Sequence, residues 1–436
     1  MIPYRNGQLL IIPIDDMFYS VVNPYIKDGL KVINKIQYNV LMLIDGKKTI
    51  KEIADFFVTT EDNIKLACDI LSEKNIVNYS NIFDDIYWDT TPKSLNLWIH
   101  TTNNCTLRCS YCNIHTLGFN NYLEDEKINI LSEKIIQTVK EKNLNYVSLR
   151  LAGGEPFLKF KQWKEAIKNL KQRLIQLNCK LRITFLTNLT ILSDEIISFI
   201  KEEKIGIGVS LDGLDSFQDS TRYFKNGDGS FKIVESNINK LIQSGVRPGI
   251  MTVVSNKNID GLLDFTKYLI RKKIPFRFSF VQNESLDIKK VSSVLKECYK
   301  ELSSAIDNGY EFSKNHKLCD LKFSDPFFQT CSNGFSGGAL YTDGNIYFCH
   351  TQFGVTDSIG SIFDKEDLLS IIQKKSYYGE VNDDCKNCNL KYICTSGCPL
   401  ERVNGKDPHC VLYRELVPIV YKLMGKEKLL EIKKNI

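Results

Sequence analysis

Three cysteines fall within the stretch CTLRCSYC, at Cys105, Cys109 and Cys112, and seven more crowd the last quarter of the chain. The later ones are Cys331, Cys349, Cys385, Cys388, Cys394, Cys398 and Cys410; Cys68, Cys179, Cys298 and Cys319 stand apart. Clustered thiols in a reducing compartment serve as metal ligands rather than as disulfides. A segment so rich in cysteine, with glycines at 334, 337, 338, 344, 354 and 360 and little apolar periodicity, needs metal to hold its shape. Three thiolates alone do not close a tetrahedral zinc site, which would need a further ligand such as His115.

The N-terminus, MIPYRNGQLLIIPIDD, lacks the basic, apolar and small-residue order of a signal peptide. No apolar run reaches the roughly 18 residues of a membrane helix. A cytoplasmic protein with no membrane partner is therefore expected. The net charge of +5, from 57 basic and 52 acidic residues, is too mild and too evenly spread to indicate nucleic acid.

The fold class expected is α/β, in three parts and a tail. Residues 1–90 open with two strands, in GQLLIIPI and MFYSVVNPY. One helix follows over LKVINKIQYNVLMLIDG, with Ile33, Ile36, Val40, Leu41 and Ile44 on its inner face. Two more follow, the last N-capped by Thr60 or Thr59. Strands followed by three helices predict a winged helix-turn-helix. Residues 91–310 alternate strand and helix. The strands are LNLWIHTT, YVSLRLAGG, LRITFLTN, IGIGVSLDG, RPGIMTVVS and FRFSFVQ; the helices cover 125–142, 161–178, 192–203, 231–245 and 258–272. Six such units predict a partial (β/α)6 TIM-like barrel. A helical link near 286–308 leads to a loop-rich, cysteine-rich domain, 311–415, with a hairpin turning at Asp343-Gly344. A C-terminal helix is assigned to 416–436, its amphipathic pattern beginning near 411.

The CxxxCxxC spacing, with the aromatic Tyr111 before the last cysteine, resembles the signature of the radical S-adenosylmethionine (SAM) superfamily. That resemblance implies a [4Fe–4S] cluster on Cys105, Cys109 and Cys112 whose fourth iron is chelated by SAM. It also implies cofactor contacts at strand ends. Gly153, Gly154, Glu155 and Pro156 would face the methionine moiety, with Glu155 accepting from its ammonium. Ser210 and Asp212 of SLDG, with Asn188, would face the ribose, and Arg222 would pair with the carboxylate.

The later cysteines, from Cys331 through Gly344-x4-Cys349 to Cx2Cx5Cx3C and Cys410, resemble the SPASM domain of peptide-modifying radical SAM enzymes. The resemblance implies two auxiliary [4Fe–4S] clusters, making three in all. Cys331, Cys349 and Cys398 would hold the first; Cys385, Cys388, Cys394 and Cys410 would hold the second. Cys319 is either the missing ligand of the first or a hydrogen donor to substrate. Cys68, Cys179 and Cys298 are expected as buried apolar side chains. His350 and His409 adjoin these cysteines and are expected as exposed loop residues, with a hydrogen bond from either to a cluster sulfur as the alternative.

A DNA-reading helix should be basic, yet TEDNIKLACDILSEKN carries four acidic residues against two lysines. The N-terminal module instead resembles the recognition element of maturases of ribosomally made peptides, which takes up a leader peptide as an added strand. MFYSVVNPY is the expected edge, beside the third helix. The chain is then expected to be an enzyme forming oxidative cross-links in a precursor peptide. Thioethers come first, carbon–carbon (cyclophane-type) links or epimerisation second, and sulfatase oxidation after these. Ferredoxin or flavodoxin would supply electrons. The non-enzymatic alternative is an iron–sulfur or zinc winged-helix regulator.

Overall fold

The computed structural model describes residues 1–6, 8–80, 91–118, 121–282, 284–324, 326–327, 331–377, 383–386, 388–395 and 397–434. The domain boundary expected near residue 90 borders 81–90, which lie outside the described residues.

The N-terminal module has three antiparallel strands, β1 (Leu10–Pro13), β2 (Phe18–Val22) and β3 (Leu30–Asn34), in the order β1-β2-β3. Helices α1 (Lys35–Leu43), α2 (Ile50–Phe57) and α3 (Glu61–Glu73) follow. Two expectations are corrected here. MFYSVVNPY supplies the central strand β2, hydrogen-bonded on both sides, so it is not an edge. The helix expected from Leu30 begins only at Lys35. Val32 and Ile33 are β-branched and suit a pleated strand, and Asn34 stops it as an N-cap. The Asn34 Oδ1 accepts from the Gln37 amide at 2.9 Å, and Gln37 Oε1 accepts from the Asn34 amide at 3.0 Å. That reciprocal pair fixes the helix start. Ile36, expected inside, is 72% exposed, while Ile33, Val40, Leu41 and Ile44 pack with Ile53, Ile64 and Cys68 in the module's core. Thr60 caps α3 by accepting from the Asn63 amide.

The middle of the chain forms six parallel strands. They are β4 (Ser94–His100), β5 (Tyr146–Ala152), β6 (Lys180–Thr187), β7 (Gly206–Ser210), β8 (Gly249–Val254) and β9 (Phe276–Phe280). Between them run α4 (Asp125–Lys142), α5 (Phe160–Gln176), α6 (Asp194–Glu203), α7 (Phe231–Gln243) and α8 (Leu262–Arg271). After β9 comes the link helix α9 (Ile288–Asp307). Alternation along the strands sorts two faces. Leu95, Leu97, Ile99, Val147, Leu149, Leu151, Ile183, Phe185 and Phe278 are buried in the large core they share with the helices. Their alternates, including Trp98, Ser148, Arg150, Arg182, Thr184, Met251 and Arg277, stay at least partly accessible and make up the concave face.

The sheet does not end with six strands. Its order is β10-β9-β8-β7-β6-β5-β4-β11-β12-β13, with β10 (His316–Leu318) parallel at one end. At the other end β11 (Gly337–Leu340) runs parallel to β4, and β12 (Asn345–Tyr347) and β13 (Gly360–Ser361) complete an antiparallel extension. The β11–β12 connection turns at Asp343-Gly344, where Gly344 has φ +95°. The C-terminal cysteine region is thus built onto the barrel's own sheet. A short helix, α10 (Leu368–Gln373), packs across this extension.

The last helix, α11, spans Cys410–Lys434, beginning six residues before the boundary assigned at 416. It packs on α9 and also on the N-terminal sheet. Ser20 Oγ donates to the Tyr421 carbonyl at 3.1 Å, and Lys428 Nζ donates to the Leu30 carbonyl at 3.0 Å. Gly425 permits this approach, because a Cβ there would lie 1.7 Å from Ser20 Oγ. Gly425→Ala is therefore expected to destabilise the docked module by about 1–3 kcal/mol, the usual cost of overpacking. Faster proteolytic release of residues 1–80 at unchanged barrel stability is the measurement that checks it. Among the described residues no helix is long and apolar enough to cross a membrane.

Candidate active site

Cys105, Cys109 and Cys112 lie in the loop that leaves the C-terminal end of β4, the end where parallel barrels carry their chemistry. Their three thiols bear electrostatically on one another. Burial pushes Cys105 up to about 11 and Cys109 up to about 12. Such thiols ionise only when a cationic partner offsets the loss of solvent. The side chain of His115 lies outside the described residues. Among the described residues no three His, Cys, Asp or Glu side chains converge to the spacing of a single-ion site.

The GGEP stretch closes β5 against this loop. A Cβ on Gly153, at φ +137°, would lie 2.6 Å from the Thr102 carbonyl oxygen, and one on Gly154 would lie 2.2 Å from that of Asn104. The amides of Gly154 and Glu155 donate to those same carbonyls at 2.7 and 2.8 Å. The glycines were expected to admit a ligand; here they admit the cysteine loop. Gly154→Ala is expected to displace Asn104 and Cys105, and iron bound at the first cysteine group should fall while iron elsewhere is kept.

Glu155 is fully buried, and its carboxylate accepts from Thr187 Oγ1 at 2.7 Å, the Phe157 amide at 3.0 Å and the Asn188 amide at 2.9 Å. Burial nevertheless raises its pKa to about 7. The side chain clamps β5 to β6. Pro156, also buried, starts the short 3-10 turn that follows. Asn188 Nδ2 donates to Cys105 Sγ at 3.3 Å and to Thr106 Oγ1 at 3.1 Å, so this side chain meets the cysteine loop directly.

Asp212, Tyr111 and Arg222 form one buried knot. Asp212 Oδ2 accepts from Tyr111 Oη at 2.5 Å, Thr221 Oγ1 at 3.0 Å and Arg222 Nε at 2.9 Å. Its Oδ1 accepts from the Val253 amide at 3.0 Å. Asp212 thus holds Arg222 in place. The guanidinium lies over the Tyr111 ring, and its Nη1 points at Cys109 Sγ from 3.7 Å. Burial works against the Arg222 charge, yet Asp212 beside it holds it well above its ordinary pKa. Ser210 ends β7 half-exposed on the concave face and makes no side-chain hydrogen bond among the described residues. These surroundings fit a cluster-bound cofactor: three thiols, a fixed cation beside one of them and a free hydroxyl.

Sequence reasoning missed a second layer. His100 Nε2 meets Asn103 Oδ1 at 2.7 Å, and Asn103 Nδ2 reaches Tyr341 Oη at 2.7 Å. Burial lowers the His100 pKa to about 4, so it is neutral. This chain ties the cysteine loop to the C-terminal extension. The polar run TTNN before Cys105 was the only available signal.

The later cysteines sort into two sets. Cys398 bears on Cys331 and Cys349. Cys394 bears on Cys410, Cys385 and Cys388, and these four line one cavity with Tyr413 and Arg414. Cys319 sits at φ +50°, its amide donating to the Phe278 carbonyl at 2.7 Å, with Arg277, Tyr413, Asp320 and Asp407 as its electrostatic neighbours. Burial pushes that thiol up to about 12. The two histidines are not exposed as expected. His350 stacks on Trp98 at 3.9 Å and meets Cys349 Sγ at 3.5 Å. Burial alone would raise the Cys349 pKa, but His350 and Thr351 bring it down to about 7. His409 pairs with Asp407 at 3.2 Å and lies against Phe280. Cys68, Cys179 and Cys298 are buried at 0%, 3% and 0% exposure, as the apolar reading required.

Residues 99–269 match the model of the radical SAM superfamily. A cysteine-type anaerobic sulfatase-maturating enzyme of Clostridium novyi is 28% identical over 334 residues, 70% of this chain and 88% of the relative. The radical SAM cyclopropyl synthase TigE of Paramaledivibacter caminithermalis is 22% identical over 454 residues, 97% of this chain and 91% of the relative. Among solved structures, AdoMet-bound anSMEcpe superposes with a TM-score of 0.64 at 21% identity, covering 77% of this chain and 99% of that one. Streptococcus suis SuiB bound to the precursor peptide SuiA gives 0.52 at 16%, covering 93% and 98%. The matched residues, 99–269, contain the cysteine loop after β4 and the strand ends around it.

Proposed function

We propose that this chain is a radical SAM maturase that oxidatively modifies a ribosomally made precursor peptide, most simply by joining a cysteine sulfur to a carbon. The observation that carries the reading is the sorting of ten cysteines into three groups, the first at the mouth of an accessible barrel face and two beyond its edge. In this reading Cys105, Cys109 and Cys112 hold a SAM-binding [4Fe–4S] cluster. Cys331, Cys349 and Cys398 hold one auxiliary cluster, and Cys385, Cys388, Cys394 and Cys410 hold the other. When bound, the first cluster and SAM supply a 5′-deoxyadenosyl radical that removes a hydrogen atom from substrate.

The chain's own residues do the rest. Arg222, held by Asp212 and Tyr111, offers a fixed cation beside Cys109 for the SAM carboxylate. Ser210 offers a hydroxyl from the concave face. The Asn188 amide donates to Cys105. Cross-linking removes two hydrogen atoms from the peptide in total, so a second electron must leave after the first abstraction, and the auxiliary groups give it a path to an external carrier such as ferredoxin or flavodoxin. A leader peptide would add to the N-terminal sheet at the edge strand β3, near α3. Ile36, Met42, Phe56 and Leu66, exposed on helices of that module, are apolar side chains such a partner could cover.

Relatives named for sulfatase maturation, and a structural neighbour bound to a precursor peptide, support a polypeptide substrate. The nearly full-length alignment with a cyclopropyl synthase favours carbon–carbon bond formation as the second reading. Anaerobically reconstituted protein, given SAM and a low-potential reductant, is expected to form 5′-deoxyadenosine, and its peptide product to lose the mass of two hydrogen atoms. Dominant zinc with no 5′-deoxyadenosine overturns the enzyme reading. A product of unchanged mass with an inverted residue replaces cross-linking by epimerisation, with Cys319 as hydrogen donor.

A further inference from the structure

Four cations stand on the concave face of the barrel: Arg150 on β5, Arg182 on β6, Arg277 on β9 and Lys317 on β10. Arg150 and Arg182 share a face of adjoining strands, as do Arg277 and Lys317, and all four are electrostatic neighbours. Arg150 is opposite Trp98 on one side and Thr184 on the other, Arg182 is opposite Ser148, and Arg277 is opposite both Met251 and Lys317. All four belong to the alternation that avoids the helices, and Arg150, Arg182 and Lys317 are exposed to solvent. Their charges still act on one another. Arg277, Arg182, Lys322 and Arg150 all press on Lys317, lowering its pKa after burial does so first.

Among the described residues one carboxylate pairs with this row. Asp320 pairs with Arg277 Nη1 at 2.9 Å, and Arg277 Nε also reaches Ser279 Oγ at 3.0 Å. Among the described residues Arg150, Arg182 and Lys317 make no side-chain hydrogen bond or ion pair. Beside Arg150, the indole N–H of Trp98 is buried without an acceptor. Like charges set on one face without side-chain partners repel one another. Such an arrangement is stable with an anion present and carries a specificity for one. Asp212 is held by Arg222, and Glu155 is buried between β5 and β6.

We propose that the barrel lumen binds a carboxylate-bearing segment of the polypeptide substrate, Asp or Glu side chains next to the residue being modified, through Arg150, Arg182 and Lys317, with Arg277 held in reserve by Asp320. This deepens the maturase reading and rests on it. Planar guanidinium groups suit carboxylate oxygens bidentately. A peptide held this way would lie across the lumen between the first cysteine group and the Cys331 side, since Cys331 and Asp320 are both electrostatic neighbours of Arg150.

The test compares two synthetic probes on the full, cluster-reconstituted chain with SAM: acetyl-Gly-Glu-Cys-Glu-Gly-amide and its Gln-for-Glu counterpart. Calorimetry at low and high salt is expected to show at least tenfold tighter binding of the Glu peptide, with the gap narrowing as salt rises. The double variant Arg150→Gln/Lys317→Gln is expected to abolish the preference, and Arg150→Glu to shift it towards a Lys-containing peptide. Equal binding of the two probes by the unaltered chain overturns the proposal without needing any variant to fold. A preference that survives the double variant, or that ignores salt, overturns it as well. Because the readout is binding, it is separate from the maturase reading. Acid preference without 5′-deoxyadenosine formation sinks that reading alone, and 5′-deoxyadenosine formation without acid preference sinks this one alone.

Discussion

Replacing Cys105, Cys109 and Cys112 together by alanine is expected to abolish reductive SAM cleavage while leaving the auxiliary iron in place. Three four-iron clusters amount to about twelve irons per chain, and the triple variant should retain about eight. The separation is expected because the three cysteine sets hang from different elements. The first hangs from the β4–α4 loop, braced by Asn188 and by the Gly153–Gly154 contact. The other two are held by the sheet extension and by α11. Iron analysis with quantified 5′-deoxyadenosine checks this. Loss of all iron would mean that the sets assemble as one unit, and surviving SAM cleavage would remove the first set from the chemistry.

The second large effect concerns the knot beneath that loop. Arg222→Met is expected to destabilise the protein by about 3–5 kcal/mol, because it leaves the Asp212 carboxylate buried with its charge unpaired. The double variant Arg222→Met/Asp212→Asn should recover much of the stability, since a neutral amide can still meet Tyr111 and Thr221. SAM affinity should stay low in both, because neither restores a cation beside Cys109. Chemical denaturation and SAM titration read the two quantities separately. If the double variant is no more stable than the single, Asp212 is not the group that suffers when Arg222 is lost. If the double variant binds SAM normally, Arg222 is not a cofactor contact.

The barrel strands were readable because near-continuous apolar runs such as YVSLRLA and LRITFLT fit only a sheet covered by helices. The helices between them show the 3.6-residue period, and α4 was read residue for residue at 125–142. Short apolar segments were harder. LKVIN joins directly onto a helix, and nothing in its five residues separates a strand from a first turn; the Asn34–Gln37 cap decides. The identity of the central strand in the N-terminal module was also invisible, since β1, β2 and β3 have similar composition and order depends on pairing.

At the candidate site, residue types were legible and their partners were not. Cysteine spacing named the ten clustered thiols without reference to the fold, because spacing is a property of the chain alone. Glu155, Asp212 and Asn188 were read as facing a ligand. In the structure their carboxylate and amide groups also meet Thr187, Arg222, Val253 and Cys105, residues from 10 to 83 positions away. A polar side chain at a strand end can turn towards either its neighbours or the lumen, and burial resolves the choice because an unpaired buried charge is too costly. His350 and His409 were likewise misplaced, since stacking on Trp98 and Phe280 depends on contacts far along the chain.

The cysteine spacings, the strand–helix alternation and the absence of a basic recognition helix were determined by the sequence alone, because each is a local pattern with a local physical cause. Only the tertiary structure decided how Ser20 and Gly425 lock the two ends of the chain together, and which charges lack a side-chain partner among the described residues. Those are long-range pairings. The row of Arg150, Arg182, Arg277 and Lys317 is the clearest case: the four residues are scattered over 168 positions, and only parallel register sets them side by side on one face.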